Sequence, residues 1–87
     1  MASSKVKKGL PALPQRARDA YAFLVREIEQ NGPVRGNWPN YGKLGKGLHH
    51  CHLKKGKPTY VAVWEEIEDE ICVVEVIYVG THEKAPY

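Results

Sequence analysis

Apolar and polar positions follow two different rhythms along this chain. Between Leu13 and Ile28 the residues Leu13, Ala17, Ala20, Tyr21, Leu24 and Ile28 recur at spacings of three and four. That is the period of a helix with one buried face. Pro14 suits the first helical turn, where its missing N–H removes no hydrogen bond. Asn31-Gly32-Pro33 ends the helix. From Leu48 the period shortens to two. Leu48–Lys54 alternates, and Lys55-Gly56-Lys57-Pro58 reads as a turn. Thr59–Trp64 (TYVAVW) is a β-branched and aromatic strand, and Glu65–Glu70 (EEIEDE) reads as an acidic turn. Ile71–Val79 (ICVVEVIYV) is almost continuously apolar, as expected of a central strand covered on both faces, and Gly80 closes it.

The segment between the two rhythms, residues 33–47, is rich in Gly, Pro and Asn and reads as an ordered loop pinned by Trp38, Tyr41 and Leu44. For Trp38 and Tyr41, packing is favoured over base stacking. Residues 1–9 read as a flexible basic tail. The expected architecture is α+β, with one long helix packed on a small antiparallel meander of three strands, in a single domain spanning residues 1–87.

Composition narrows the class. The chain has 87 residues, and no apolar run is long enough to span a bilayer. The basic start lacks the apolar core of a secretory signal. Two cysteines, Cys51 and Cys72, do not make a disulfide framework and read as core fillers in a cytoplasmic protein. The net charge of +3 hides an asymmetry. Residues 1–58 carry twelve cationic and three anionic side chains, giving +9, whereas residues 59–87 carry one and seven, giving −6. Such a split suits a polyanion or an acidic partner on one face.

The candidate chemistry lies in Leu48–Lys57, where three histidines and three lysines crowd together. Alternation along a strand puts His49, Cys51 and Leu53 on one face and His50, His52 and Lys54 on the other. The apolar pair turns the first set inward, so His49 is expected as a hydrogen-bonded core residue, with His50 and His52 pointing out. Two outward histidines about 7 Å apart could share a metal with His82. However, Cys51 faces the other way, and no CxxC or HExxH spacing occurs. Acid–base chemistry fits better, because imidazole titrates near neutrality. RNA cleavage without a metal needs a base for the 2′-hydroxyl, an acid for the leaving 5′-oxygen and cations for the phosphorane. His52 or His50 with His82 could supply the first two, and Lys54, Lys55 and Lys57 the third.

The stretches KLGKGLHHCHLKKGKPTYVAVWEE and YVGTHEKAPY resemble the RelE/ParE toxin superfamily of bacterial toxin–antitoxin modules, closest to its RelE- and YafQ-like mRNA interferases. The resemblance covers about residues 10–87 and rests on the paired blocks HCHLKKG and GTHEKAPY. It implies an α+β fold and a ribosome-dependent endonuclease that cuts mRNA in the A site with no metal or other cofactor. It also implies a cognate, DNA-binding antitoxin as partner, alongside the ribosome and mRNA. Position by position, His52 matches the family's strand histidine and His82 its second histidine, the leading acid–base candidate. Tyr87 lies at or next to a terminal aromatic that stacks on a base or joins proton transfer. Lys54 and Lys57 fall at phosphate-binding positions, and His50 stands where the pattern has an acidic residue.

Three departures qualify the resemblance. No arginine follows Arg35, and lysine is a poorer bidentate phosphate clamp. MASSKVKKGLPALP is too short and too Pro/Gly-interrupted for both the strand and the helix with which the family opens, so the fold is expected to lack them. Pro86 restricts the approach to Tyr87. The competing readings are a non-enzymatic superfamily member, either a ParE-like gyrase inhibitor or a degenerate antitoxin-binding protein, and a small zinc-binding nucleic-acid module.

Overall fold

The computed structural model describes residues 2–54, 59–68 and 73–85. Helix α1 (Ser4–Gly9) and a 3-10 turn (Leu10–Ala12) lead into the long helix α2 (Gln15–Asn31). Four strands follow, β1 (Gly42–Gly45), β2 (Leu48–Lys54), β3 (Tyr60–Glu68) and β4 (Val73–Thr81), and then a 3-10 turn (His82–Lys84). The strands form one antiparallel sheet in the order β1-β2-β3-β4. The architecture is the α+β helix-plus-meander that the two sequence periods predict.

Helix α2 follows its sequence closely. Pro14 caps it, and Ala17, Tyr21, Leu24 and Ile28 are its buried residues. Gly32 ends it at φ +92, a left-handed conformation open to glycine, with its N–H donating to the Ile28 carbonyl. The apolar face meets Cys51 and Leu53 of β2, Ala62 and Trp64 of β3 and Val76 of β4 in one core. Burying a side chain such as the fully enclosed Leu24 contributes about 2–3 kcal/mol. In a domain this small, a few such residues decide whether the chain folds.

Four expectations need correction. Residues 2–9, the described part of the expected basic tail over residues 1–9, are not a tail. Val6 is buried in the core and Leu10 packs against it, an i, i+4 apolar pair masked in the sequence by the surrounding lysines. Ser3 caps α1 through its hydroxyl, its N–H donates to the Val76 carbonyl, and Ala2 forms a parallel bridge with Val76. The N-terminal segment therefore supplies a helix and a single bridge to the sheet edge, where both elements were expected to be missing.

Second, the loop at residues 33–47 contains strand β1, so among the described residues the meander has four strands, not three. Gly42 and Gly45 at its ends carry no β propensity and conceal it. Third, Glu65–Glu68 continue β3 and do not turn, with Glu65 opposite Glu75. The rest of the expected acidic turn, and the Lys55–Pro58 turn, lie outside the described residues.

Fourth, the strand covered on both faces is β3. Val61, Ala62, Val63 and Trp64 are all fully buried. The more apolar β4 lies at the edge of the sheet and runs through Gly80 to Thr81; Ile71 and Cys72 lie outside the described residues. Position in the sheet, which local hydrophobicity does not specify, decides which strand is central. Among the described residues, no helix is long and apolar enough to cross a membrane.

Candidate active site

Strand parity divides β2 as its sequence predicts. Cys51 and Leu53 face the helices, and His49 on the same face has no solvent exposure. Its Nδ1 lies 2.7 Å from the Tyr41 hydroxyl and its Nε2 2.6 Å from Glu66 Oε2. The imidazole stacks nearly parallel to Trp64, with centroids 5.8 Å apart. Both ring nitrogens are therefore satisfied inside the core, as a buried polar group requires. Tyr41 serves this cluster, and Trp38 donates its indole N–H to Glu27 while packing on the core. Both aromatics pack, as expected from the sequence.

His50 and His52 lie on the opposite, outer face. His50 pairs with Val63 and His52 with Val61. Across β3, Val63 pairs with Tyr78 and Val61 with Gly80. The outer face is thus a floor of two buried valines between the β2 histidines and the Tyr78 side of β4. The loop before β1 fixes one end, since the His52 N–H donates to the Pro39 carbonyl at 2.8 Å.

His82 opens the 3-10 turn that follows β4. Its N–H donates to the Thr59 carbonyl at 2.8 Å. Its ring meets the His52 ring edge to face, with centroids 5.6 Å apart and planes at 70°. Strand β4 is not next to β2, so the contact passes around the start of β3. Burial holds His50 below the ordinary imidazole range, and repulsion from His52 and from His82 adds to the depression. Imidazoles this close can flank a single phosphodiester, one accepting a proton while the other donates one.

The remaining site residues suggested by the sequence are wholly or partly outside the described residues. Lys54 closes β2, and its side chain lies outside the described residues. Lys55, Lys57 and Tyr87 also lie outside them. Among the described residues, no group of three or more His, Cys, Asp or Glu side chains is arranged to hold a metal ion. An open depression lined by Lys46, Gly47, Glu66 and Ile67 borders the Glu66 carboxylate, not the histidines.

Two features of the outer face escape sequence reasoning. Gly42, paired with His50, leaves room for its imidazole, because a Cβ there would lie 3.1 Å from His50 Nε2. Tyr78 lies over Gly80, where a Cβ would lie 2.7 Å from the hydroxyl oxygen, and donates to the Thr81 carbonyl at 2.7 Å. A register shift between Val63 and Trp64 sets Tyr78 and Val76 on opposite faces although they are two residues apart. Simple alternation would have put them together. No family model, curated protein or solved structure matches this chain.

Proposed function

We propose that this protein is a metal-independent endoribonuclease of the toxin–antitoxin class, acting on mRNA in the ribosomal A site. The observation that carries the reading is the edge-to-face contact of His52 and His82, from distant parts of the chain, on the sheet face away from the helices. In the reaction, one imidazole accepts the 2′-hydroxyl proton as that oxygen attacks phosphorus. The other gives its proton to the departing 5′-oxygen. The products are a 2′,3′-cyclic phosphate and a 5′-hydroxyl, and no co-reactant is required. Lys54, Lys55 and Lys57 neutralise the phosphorane, His50 contributes to binding, and Tyr87 stacks on or orients a base. The +9 charge of residues 1–58 suits ribosomal RNA and an acidic antitoxin. On this reading the protein works in the cytoplasm, held in check by a DNA-binding antitoxin.

The test is primer extension on a reporter mRNA after brief induction. Cuts at codon-spaced positions are expected from the wild-type chain. His82→Ala and His52→Ala should each reduce cutting by on the order of a hundredfold or more while the protein stays folded. Growth arrest without cuts would replace this reading with a non-nucleolytic toxin such as a gyrase inhibitor. Neither arrest nor cuts would leave an antitoxin-binding protein without catalysis.

A further inference from the structure

The peptide group joining Thr81 to His82 is held at both of its polar atoms. Its carbonyl accepts a 2.7 Å hydrogen bond from the Tyr78 hydroxyl. Its N–H, that of His82, donates to the Thr59 carbonyl at 2.8 Å. One bond comes from a side chain of β4 and the other from the backbone leading into β3. Together they fix the plane and direction of the peptide that delivers the His82 Cα.

The Tyr78 anchor is itself built in. Its ring lies over Gly80, which pairs with the buried Val61, and any larger residue at 80 would collide with the hydroxyl and with Cζ. The register shift between β3 and β4 turns Tyr78 to the outer face. Backbone bonds at Thr59 and Pro39 already hold the chain ends on this face. The Tyr78 hydroxyl adds a side-chain hold on the backbone that leads into the turn carrying His82.

We propose that Tyr78 is the positioning residue of the histidine site, its hydroxyl aiming His82 at His52 through the Thr81 carbonyl. The catalytic part of this inference rests on the ribonuclease reading; the geometric part does not. Misplacement of a reacting group by a fraction of an ångström lowers turnover while leaving substrate binding largely intact.

The experiment pairs Tyr78→Phe with Gly80→Ala in the full chain. The first removes only the hydroxyl, and the second displaces the ring while keeping it. NMR of each variant reads the cross-relaxation between the His52 and His82 rings. The Trp64 indole signal, on the opposite face, reports that the fold is intact. Both variants are expected to lose most of the ring-to-ring signal with Trp64 unchanged. Both are expected to cut RNA roughly tenfold more slowly at unaltered KM. A wild-type ring-to-ring signal in Tyr78→Phe overturns the proposal, as does wild-type turnover in that variant. If wild-type protein cuts no RNA but Tyr78→Phe separates the rings, the positioning role stands and the ribonuclease reading falls.

Discussion

His49 Nε2 and Glu66 Oε2 lie 2.6 Å apart, joining a fully enclosed imidazole on β2 to a partly exposed carboxylate on β3. The contact crosses the inner face of the sheet, and Tyr41 completes it from the other ring nitrogen. It belongs to the scaffold and not to the outer histidine site. Removing the carboxylate strands a buried nitrogen, whereas the carboxylate itself could turn to water. Glu66→Ala should therefore lower folding stability by about 1–3 kcal/mol. Urea unfolding monitored at Trp64 checks this; a change within about 0.5 kcal/mol, the range of ordinary surface substitutions, would mean that water replaces Glu66.

Glu27 gathers three donors from the loop after α2. Asn37 Nδ2, Trp38 Nε1 and Arg35 Nη1 reach its Oε1 at 3.0, 2.9 and 3.3 Å. The hydrogen bonds from Asn37 and Trp38 hold its carboxyl below the usual carboxylate range, and Arg35 adds to the effect. A depressed carboxyl stabilises the fold above its unfolded pKa, and that contribution disappears as pH falls through the folded value. Glu27→Ala should free the indole and shift Trp38 emission to the red at neutral pH. Acidification should produce the same shift in the wild-type protein but not in the variant.

His50 carries a pH dependence of the opposite origin. Its pKa is lowered by burial first and by His52 and His82 second. The unfolded chain therefore binds a proton more readily than the folded one. Stability from this group is intact above the ordinary histidine value of about 6.5. It declines as pH falls through that value towards the lower folded one. Melting temperatures from pH 7.5 to 5 should fall less steeply for His50→Gln than for wild type. Parallel curves would show that His50 is not coupled to folding.

Cys51 is enclosed in the core, and burial pushes its thiol up to about 12. At pH 8 only about one molecule in ten thousand would carry the reactive thiolate, even if reagent could reach it. Iodoacetamide should leave Cys51 unmodified in the native protein and alkylate it in urea, as read by peptide mass mapping. Rapid native labelling would mean that β2 opens readily from the helices.

Much of the fold is written in local pattern. The spacing of Ala17, Tyr21, Leu24 and Ile28 specifies one buried helix face. The alternation in Leu48–Lys54 separates His49, Cys51 and Leu53 from His50 and His52. Both follow from fixed periodicities of the backbone, which neighbours modulate but do not reverse. Val6 and Leu10 were legible in principle, but the intervening lysines made the segment resemble a solvated tail.

What the sequence determined by itself, then, was which residues share a face and which face is apolar. Those properties depend on a few bonds of nearby chain. Tertiary structure alone decided that β3 and not β4 is central, that His82 passes around the start of β3 to meet His52, and that a register shift turns Tyr78 outward to hold the peptide before His82. Each depends on strand order or on one extra residue in a ladder. Such choices are settled by packing between distant segments, so they leave no periodic trace in the sequence.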